Sequence, residues 1–217
     1  MPGGMAVAVG QGQLGASGLG AVLTALESRD RYTGRHWDAV LELSVAVGHK
    51  MGLRESQLKE LSQLALLHDL GKLGLPDSVL GKDGPLSPPE RLVMERHPEI
   101  GAQMVSSIPG MGHLAPAVRA EHERWDGSGY PDGLAGDDIP LASQIVFACD
   151  AYHAMCSPRP YREALPPSKA MRELRAARGR QFSPPVVDAL LAVLCDIVST
   201  PDGRWRFVPG SAAADPG

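Results

Sequence analysis

The run LALLHDLGKLGLP, Leu64 to Pro76, sets the reading of this chain. It continues an apolar period carried by Leu58, Leu61, Ala65 and Leu66, which recurs at helical spacing. Within it stand His68 and Asp69. Burying an imidazole and a carboxylate among leucines costs several kcal/mol unless the two are paired or hold a metal ion. Adjacent helix positions diverge by about 100°, so the two side chains do not share one face. They can still converge on an ion lying between them, with a carboxylate oxygen left over for a second ion. A hydrogen-bonded His-Asp pair at a helix end is the alternative.

Outward from this run the helical pattern continues. Leu19, Val22, Leu23 and Leu26 keep the period, as do Val40, Leu43 and Val47. Further helices fit Pro88 to Arg96, His113 to Arg124, Leu141 to Met155, Ser168 to Arg178 and Pro184 to Val198. Ser87 before Pro88-Pro89-Glu90 reads as a cap and first turn, and Ser183 before Pro184 repeats the signal. No pair of alternating strands around a tight turn stands out. The expected fold is all-α: a single helical bundle of roughly seven helices, within the length of one domain. A Gly-rich leader over residues 1–18, a domain over 19–205 and a frayed tail over 206–217 are expected. The longest loop, Glu123 to Pro140, carries four glycines and two prolines. Such a loop is either functional or a plain surface excursion.

Composition narrows the function. Lys+Arg total 21 against Asp+Glu 25, for a net charge of -4, which argues against binding a nucleic-acid polymer. A small phosphate ligand held by a few local cations is still compatible. Cys149, Cys156 and Cys195 are too few and too scattered for a disulfide framework, and reduced thiols suit a cytoplasmic protein. The start MPGGMAVAVG lacks the basic region of a signal peptide. The apolar stretch Val186 to Val198 is too short, and too interrupted by Asp188 and Asp196, to span a bilayer.

Other ionisable residues sit where apolar ones are expected. Asp150 is a single acid in IVFACDAYHAM; His36 heads a helix after a Tyr-Thr-Gly turn; His97 precedes Pro98 at a helix boundary; His122 lies in the helix leading into WDGSGYP. Singly, each has an ordinary reading as a cap, a buried hydrogen bond or a surface histidine. Together, His36, His68, Asp69, His97, His122 and Asp150 form a nitrogen and oxygen donor set without thiolates. That set suits iron, manganese or zinc in an open site, built from inward-facing side chains of a helical domain.

The ordered segments RDRYTGRH, LLHDLGKLGLPDSVL, MERHPEIGAQM, HERWDGSGYPDGLAGDDIP and DAYHAMCSPRPYREAL resemble the HD-GYP domain, the cyclic di-GMP phosphodiesterase branch of the HD metal-dependent phosphohydrolases. The resemblance covers roughly residues 25–195. It implies a helical bundle with two divalent ions, iron or manganese. His36, His68, Asp69 and Asp150 would hold one, and Asp69 would bridge to a second held by His97 and the His122 region, with Glu121 beside it. Asp69 and Lys72 would act in catalysis, Lys72 at the scissile phosphate. Gly129, Tyr130 and Pro131 would form the loop beside the substrate cleft, with Tyr130 either stacking on a base or packing on its own turn. Arg159 and Arg162 would lie near the nucleotide, or else be solvated loop cations. The implied activity is hydrolysis of cyclic di-GMP to linear pGpG and on to GMP.

Several residues depart from the family pattern. Glu121 stands where many members carry a histidine adjacent to His122. Tyr32 stands where members with a third metal carry Glu, so two ions are the expected maximum. His153 replaces an acid, Cys156 a threonine and Gln144 an arginine. A degenerate module that binds cyclic di-GMP or a signalling protein partner without turnover is the alternative, as is a phosphohydrolase acting on another nucleotide.

Overall fold

The structure, a computed structural model, describes residues 36–82, 84–158, 163–199 and 205–207; for His36 and for residues 197–199 and 205–207 only the backbone is described. The expected leader, the helix around Leu19 to Leu26, Tyr32, Arg159 and Arg162 lie outside the described residues.

Helices α1 (His36–Lys50) and α2 (Glu55–Leu67) form a hairpin. Its turn passes through Gly52, whose φ of +77° favours glycine. The two helices approach closely: a Cβ on Gly48 would lie 2.8 Å from the Leu58 side chain and 2.9 Å from that of Leu61. A 3-10 turn, Leu70–Gly74, and the short α3 (Asp77–Leu80) lead to α4 (Pro88–Met94) and α5 (His97–Ser106). The 3-10 turn Gly112–Leu114 and α6 (Ala115–Arg119) precede the long loop. After it come α7 (Leu141–Cys156), α8 (Pro167–Ala177) and α9 (Pro184–Asp196). The all-α expectation holds, with one addition at the end.

That addition corrects two expectations. The last helix stops at Asp196, and Ile197–Ser199 (β1) pairs antiparallel with Trp205–Phe207 (β2), Ile197 opposite Phe207 and Ser199 opposite Trp205. The β-branched pair Ile197-Val198 favours extended backbone. With three residues a side, the ladder is too short for alternation to show in sequence. The expected helix over His113 to Arg124 is also shorter. It ends at Arg119, and Ala120 to Glu123 leave it through tighter turns, Glu121 N–H reaching Val118 O at 3.5 Å and Glu123 N–H reaching Ala120 O at 3.1 Å. A continued helix would hold Glu121 and His122 about 100° apart; the turns bring both to one place.

The core lies where α7 crosses α1 and α2 and where α9 closes over α1. Val40, Val47, Leu61, Leu64, Ile145, Leu174 and Leu190 are fully buried there. Three anchors fix the frame around the site. The Ser87 backbone N–H and hydroxyl both donate to Glu90 Oε2 at 2.7 Å, starting α4 as its sequence suggests. The Ser143 hydroxyl donates to Ala117 O at 2.8 Å, pinning α7 to α6. Gly71 lies against the backbone of α5, where a Cβ would fall 1.9 Å from His97 O and 2.5 Å from Gly101 N. The glycine between Asp69 and Lys72 is therefore a matter of space: it lets the 3-10 turn press onto the first turn of α5 and carries Asp69 toward His97.

Gly71→Ala is expected to destabilise the chain by about 1–3 kcal/mol, the scale of overpacking. Gly112→Ala, whose new Cβ would meet nothing nearer than 3.8 Å, is expected to stay within about 0.5 kcal/mol of the parent. Urea unfolding of the two variants checks this, and equal midpoints would contradict the close-contact argument.

Candidate metal centre

His68 and Asp69 sit at the junction of α2 and the 3-10 turn, His68 as the helix C-cap and Asp69 as the first residue beyond it. The junction turns both side chains inward; His68 is 2% exposed and Asp69 4%. Asp69 reaches in two directions. Its Oδ2 is 3.5 Å from His68 Nε2, and its Oδ1 is 3.7 Å from His97 Nε2. Lys72 places its ammonium 2.7 Å from the same Oδ2.

His97 is the first residue of α5, with Pro98 in the first turn, as the sequence suggests. His68 and His97 are held alike. The Nδ1–H of His68 donates to Ala65 O and that of His97 to Met94 O, both at 2.8 Å. A carbonyl can only accept, so the proton of a neutral ring is on Nδ1 and the Nε2 lone pair faces the cluster. This is how proteins orient metal-binding histidines.

The second half of the cluster comes from the turn after α6. His122 Nε2 lies 3.1 Å from His97 Nε2 and 2.8 Å from Glu121 Oε1, and Glu121 Oε1 lies 3.1 Å from His97 Nε2. Donor atoms of His97, Glu121 and His122 fall within 4.8 Å of one another. Glu121 is 2% exposed, and its Oε2 is buried without a hydrogen-bond partner. Asp150 joins from α7, one turn beyond Val146, and lines a small cavity with His68, Glu121, His122, Val146 and Phe147. Four separate segments thus meet at one place.

Charge makes the cluster hold protons or cations. Burial alone would lower the His68 pKa, but the carboxylates of Asp69, Glu121 and Asp150 outweigh it and raise it above 6.5. Burial would raise Glu121, but His122, His97 and His68 outweigh it and hold it below 4.5. The orphaned Glu121 oxygen, the oriented Nε2 lone pairs and the facing His97 and His122 nitrogens fit a divalent cation shared by these residues.

The loop from Glu123 to Pro140 is held against this cluster. Gly129 sits so close to the preceding turn that a Cβ would lie 2.4 Å from Arg124 N and 2.6 Å from His122 O. That approach lets the Tyr130 ring stack on His122, centroids 5.0 Å apart and planes 18° apart. Pro131 follows a cis peptide bond. Burial, with the charge of Glu121 next in weight, pushes the Tyr130 phenol well above its ordinary range and keeps it protonated. Phe147 also meets His122 edge-on, with centroids 5.7 Å apart.

Some of these supports carry no signal in the sequence. Glu123, 2% exposed, accepts the Asp132 backbone N–H at 2.7 Å and ties down the far side of the Tyr130 turn. Arg119 forks onto Asp132 at 2.7 and 2.8 Å and reaches Glu99 at 3.1 Å. The loop is also stitched to the α8–α9 connection, Trp125 N–H to Gln181 O and Asp126 N–H to Arg180 O. Gln144, a departure from the family pattern, donates its amide to Ile139 O at 2.7 Å and so holds the loop's end. His153 stands one turn beyond Asp150, both ring nitrogens 3.4 Å from the Ser157 hydroxyl.

A model of the HD domain matches residues 21–186. The chain belongs to the HD domain family. The cyclic di-GMP phosphodiesterase response regulator RpfG of Xanthomonas campestris pv. campestris (strain 8004) is 42% identical over 175 residues, covering 80% of this chain and 46% of that protein. A cyclic di-GMP phosphodiesterase of Thermotoga maritima is 41% identical over 167 residues, covering 76% and 45%. The chain spans less than half the length of these relatives. Among solved structures, the HDG"Y"P protein from Bdellovibrio bacteriovorus superposes with a TM-score of 0.61 at 23% identity, over 80% of this chain and 56% of that one, which supports the fold. The resemblance to the HD-GYP branch is thereby upheld. No helix among the described residues is long and apolar enough to cross a membrane.

The pairing in the HD cluster fixes a pH dependence for the metal-free chain. Glu121, held below 4.5, adds stability that is present above that value and lost as the pH falls through its folded value. His68, held above 6.5, adds stability that is complete below that value and lost as the pH rises through its folded value. Relative to Glu121→Gln, the parent is expected to lose its advantage on the acid side, and relative to His68→Gln on the alkaline side. Denaturant titrations of the chelator-treated proteins from pH 2 to 9 read both limbs; parallel profiles for parent and variants would contradict the pairing.

Proposed function

We propose that this HD domain hydrolyses a phosphodiester bond of cyclic di-GMP with the help of divalent ions, giving linear pGpG and then GMP. The observation that carries the reading is the meeting of His68, Asp69, His97, Glu121, His122 and Asp150 around a shared centre beside the Gly129-Tyr130-Pro131 loop. His68, Asp69 and Asp150 would hold one ion, with His36, the backbone start of α1, as its fourth candidate. Asp69, His97, Glu121 and His122 would hold the other. Two ions, iron or manganese, are what the resemblance implies, and a nitrogen and oxygen donor set suits either. When bound, such ions activate water and neutralise charge developing on phosphorus.

The chain's own residues do the rest. Asp69 reaches both halves of the cluster, Oδ2 toward His68 and Oδ1 toward His97. Lys72, 2.7 Å from Asp69, supplies a cation where equatorial phosphate oxygens gain charge. The phenol of Tyr130, kept protonated, can donate to a phosphate or sugar oxygen, while its ring holds the His122 plane. Arg159 and Arg162 would contact the second phosphate or a guanine edge. A positive field confined to the site reconciles a dianionic substrate with a net charge of -4. The surroundings of this chemistry are expected to be cytoplasmic.

Purified chain loaded with Mn(II) or Fe(II) is expected to convert cyclic di-GMP to linear product, followed by chromatography, with metal content measured alongside. His68→Ala and Asp69→Ala are expected to lose metal and activity together, and Lys72→Ala to keep metal while activity falls by about 10²-fold or more. Activity surviving in either metal-site variant would overturn the site. Binding of cyclic di-GMP without turnover by the loaded parent would favour the sensing module, which Glu121 and His153 make the second reading.

A further inference from the structure

We propose that Glu121 sets which divalent ion this centre prefers, by placing a buried carboxylate oxygen among imidazole nitrogens and so narrowing the advantage of Zn(II) over Mn(II). The proposal rests on the metal-centre reading above. Around His97 the donors are two imidazoles, His97 and His122, with the carboxylates of Glu121 and Asp69. Glu121 Oε1 lies 3.1 Å from one imidazole nitrogen and 2.8 Å from the other, while Oε2 is buried and reaches no partner. No arginine or lysine touches this carboxylate in any described contact, and Lys72 is engaged with Asp69. A carboxylate with 2% exposure that has one oxygen beside two imidazole nitrogens and the other without a partner is placed to share a cation with them.

Donor type then decides selectivity. Affinity rises from Mn(II) toward Zn(II) at sites of nitrogen and oxygen, and imidazole favours zinc and nickel, whereas carboxylate suits manganese. An oxygen at position 121 adds charge that every divalent ion feels, and withholds a nitrogen that Zn(II) would use best. An imidazole at the same position would reverse both effects. Asp69 also offers oxygen here but serves the other half of the cluster as well, and Asp150 belongs to that other half. Position 121 is therefore where a single exchange separates the ions.

The test is calorimetric titration of Mn(II) and Zn(II) into the full chelator-treated chain, for the parent and for Glu121→His and Glu121→Asp. Circular dichroism monitors the fold, and electron paramagnetic resonance of bound Mn(II) monitors its ligands. Glu121→His is expected to weaken Mn(II) and hold or tighten Zn(II), widening the ratio of their Kd values by about tenfold or more, with an altered Mn(II) spectrum. Glu121→Asp, which keeps the oxygen, is expected to retain the parent ratio while binding both ions more weakly. If the histidine variant does not fold, Glu121→Gln takes its place: loss of the charge is expected to weaken Mn(II) more than Zn(II). An unchanged ratio in the variant used, or an unchanged ratio and spectrum together, would overturn the assignment of selectivity alone. Failure of the parent to take up either ion would overturn the metal centre itself, and the proposal with it.

Discussion

The imidazole nitrogens of His97 and His122 face each other 3.1 Å apart, beside a carboxylate shut off from water. With no proton or cation to share, facing imidazole nitrogens and a buried anion with an unsatisfied oxygen form an unfavourable arrangement. The surrounding architecture holds it in place nonetheless. Gly71 seats the 3-10 turn on α5, the turn after α6 brings Glu121 and His122 to the same side, and α7 supplies Asp150 from across the core. Each is a local backbone decision whose result is felt only at the centre, where the groups share protons or a cation.

Much of this was legible from the residues. The Ser87 and Ser183 starts, the boundary at His97 and the long apolar α7 follow from capping, proline and period, which act within a few residues. His68 and Asp69 stood out because charge inside an apolar run needs a partner. The turns at Ala120 to Glu123 were not legible, because helical spacing continues smoothly through His113 to Arg124 and the partner that Glu121 meets, His97, lies 24 residues away in sequence. The ladder of Ile197–Ser199 with Trp205–Phe207 was missed for another reason: three-residue strands leave too little alternation to read.

The supporting contacts were the least legible part. Nothing local distinguishes Glu123 from an ordinary exposed glutamate, yet it is buried and holds the Asp132 backbone. Gly71 and Gly101 look like two unrelated glycines; their importance lies in the closeness of two backbones that meet only in three dimensions. Gln144 reads as a departure from the family pattern, and in the fold its amide holds two loop carbonyls, Ile139 O at 2.7 Å and Gly136 O at 3.4 Å.

The donors are drawn from segments spaced on the order of 25 residues along the chain. Ions gripped by these donors would act as a cross-brace, closing several loops of the backbone at once and removing freedom that only an opened chain can use. The helices from α4 to α6, which lie inside those loops, would then breathe less as a unit, and a protease probing their connections would register whether the brace is in place.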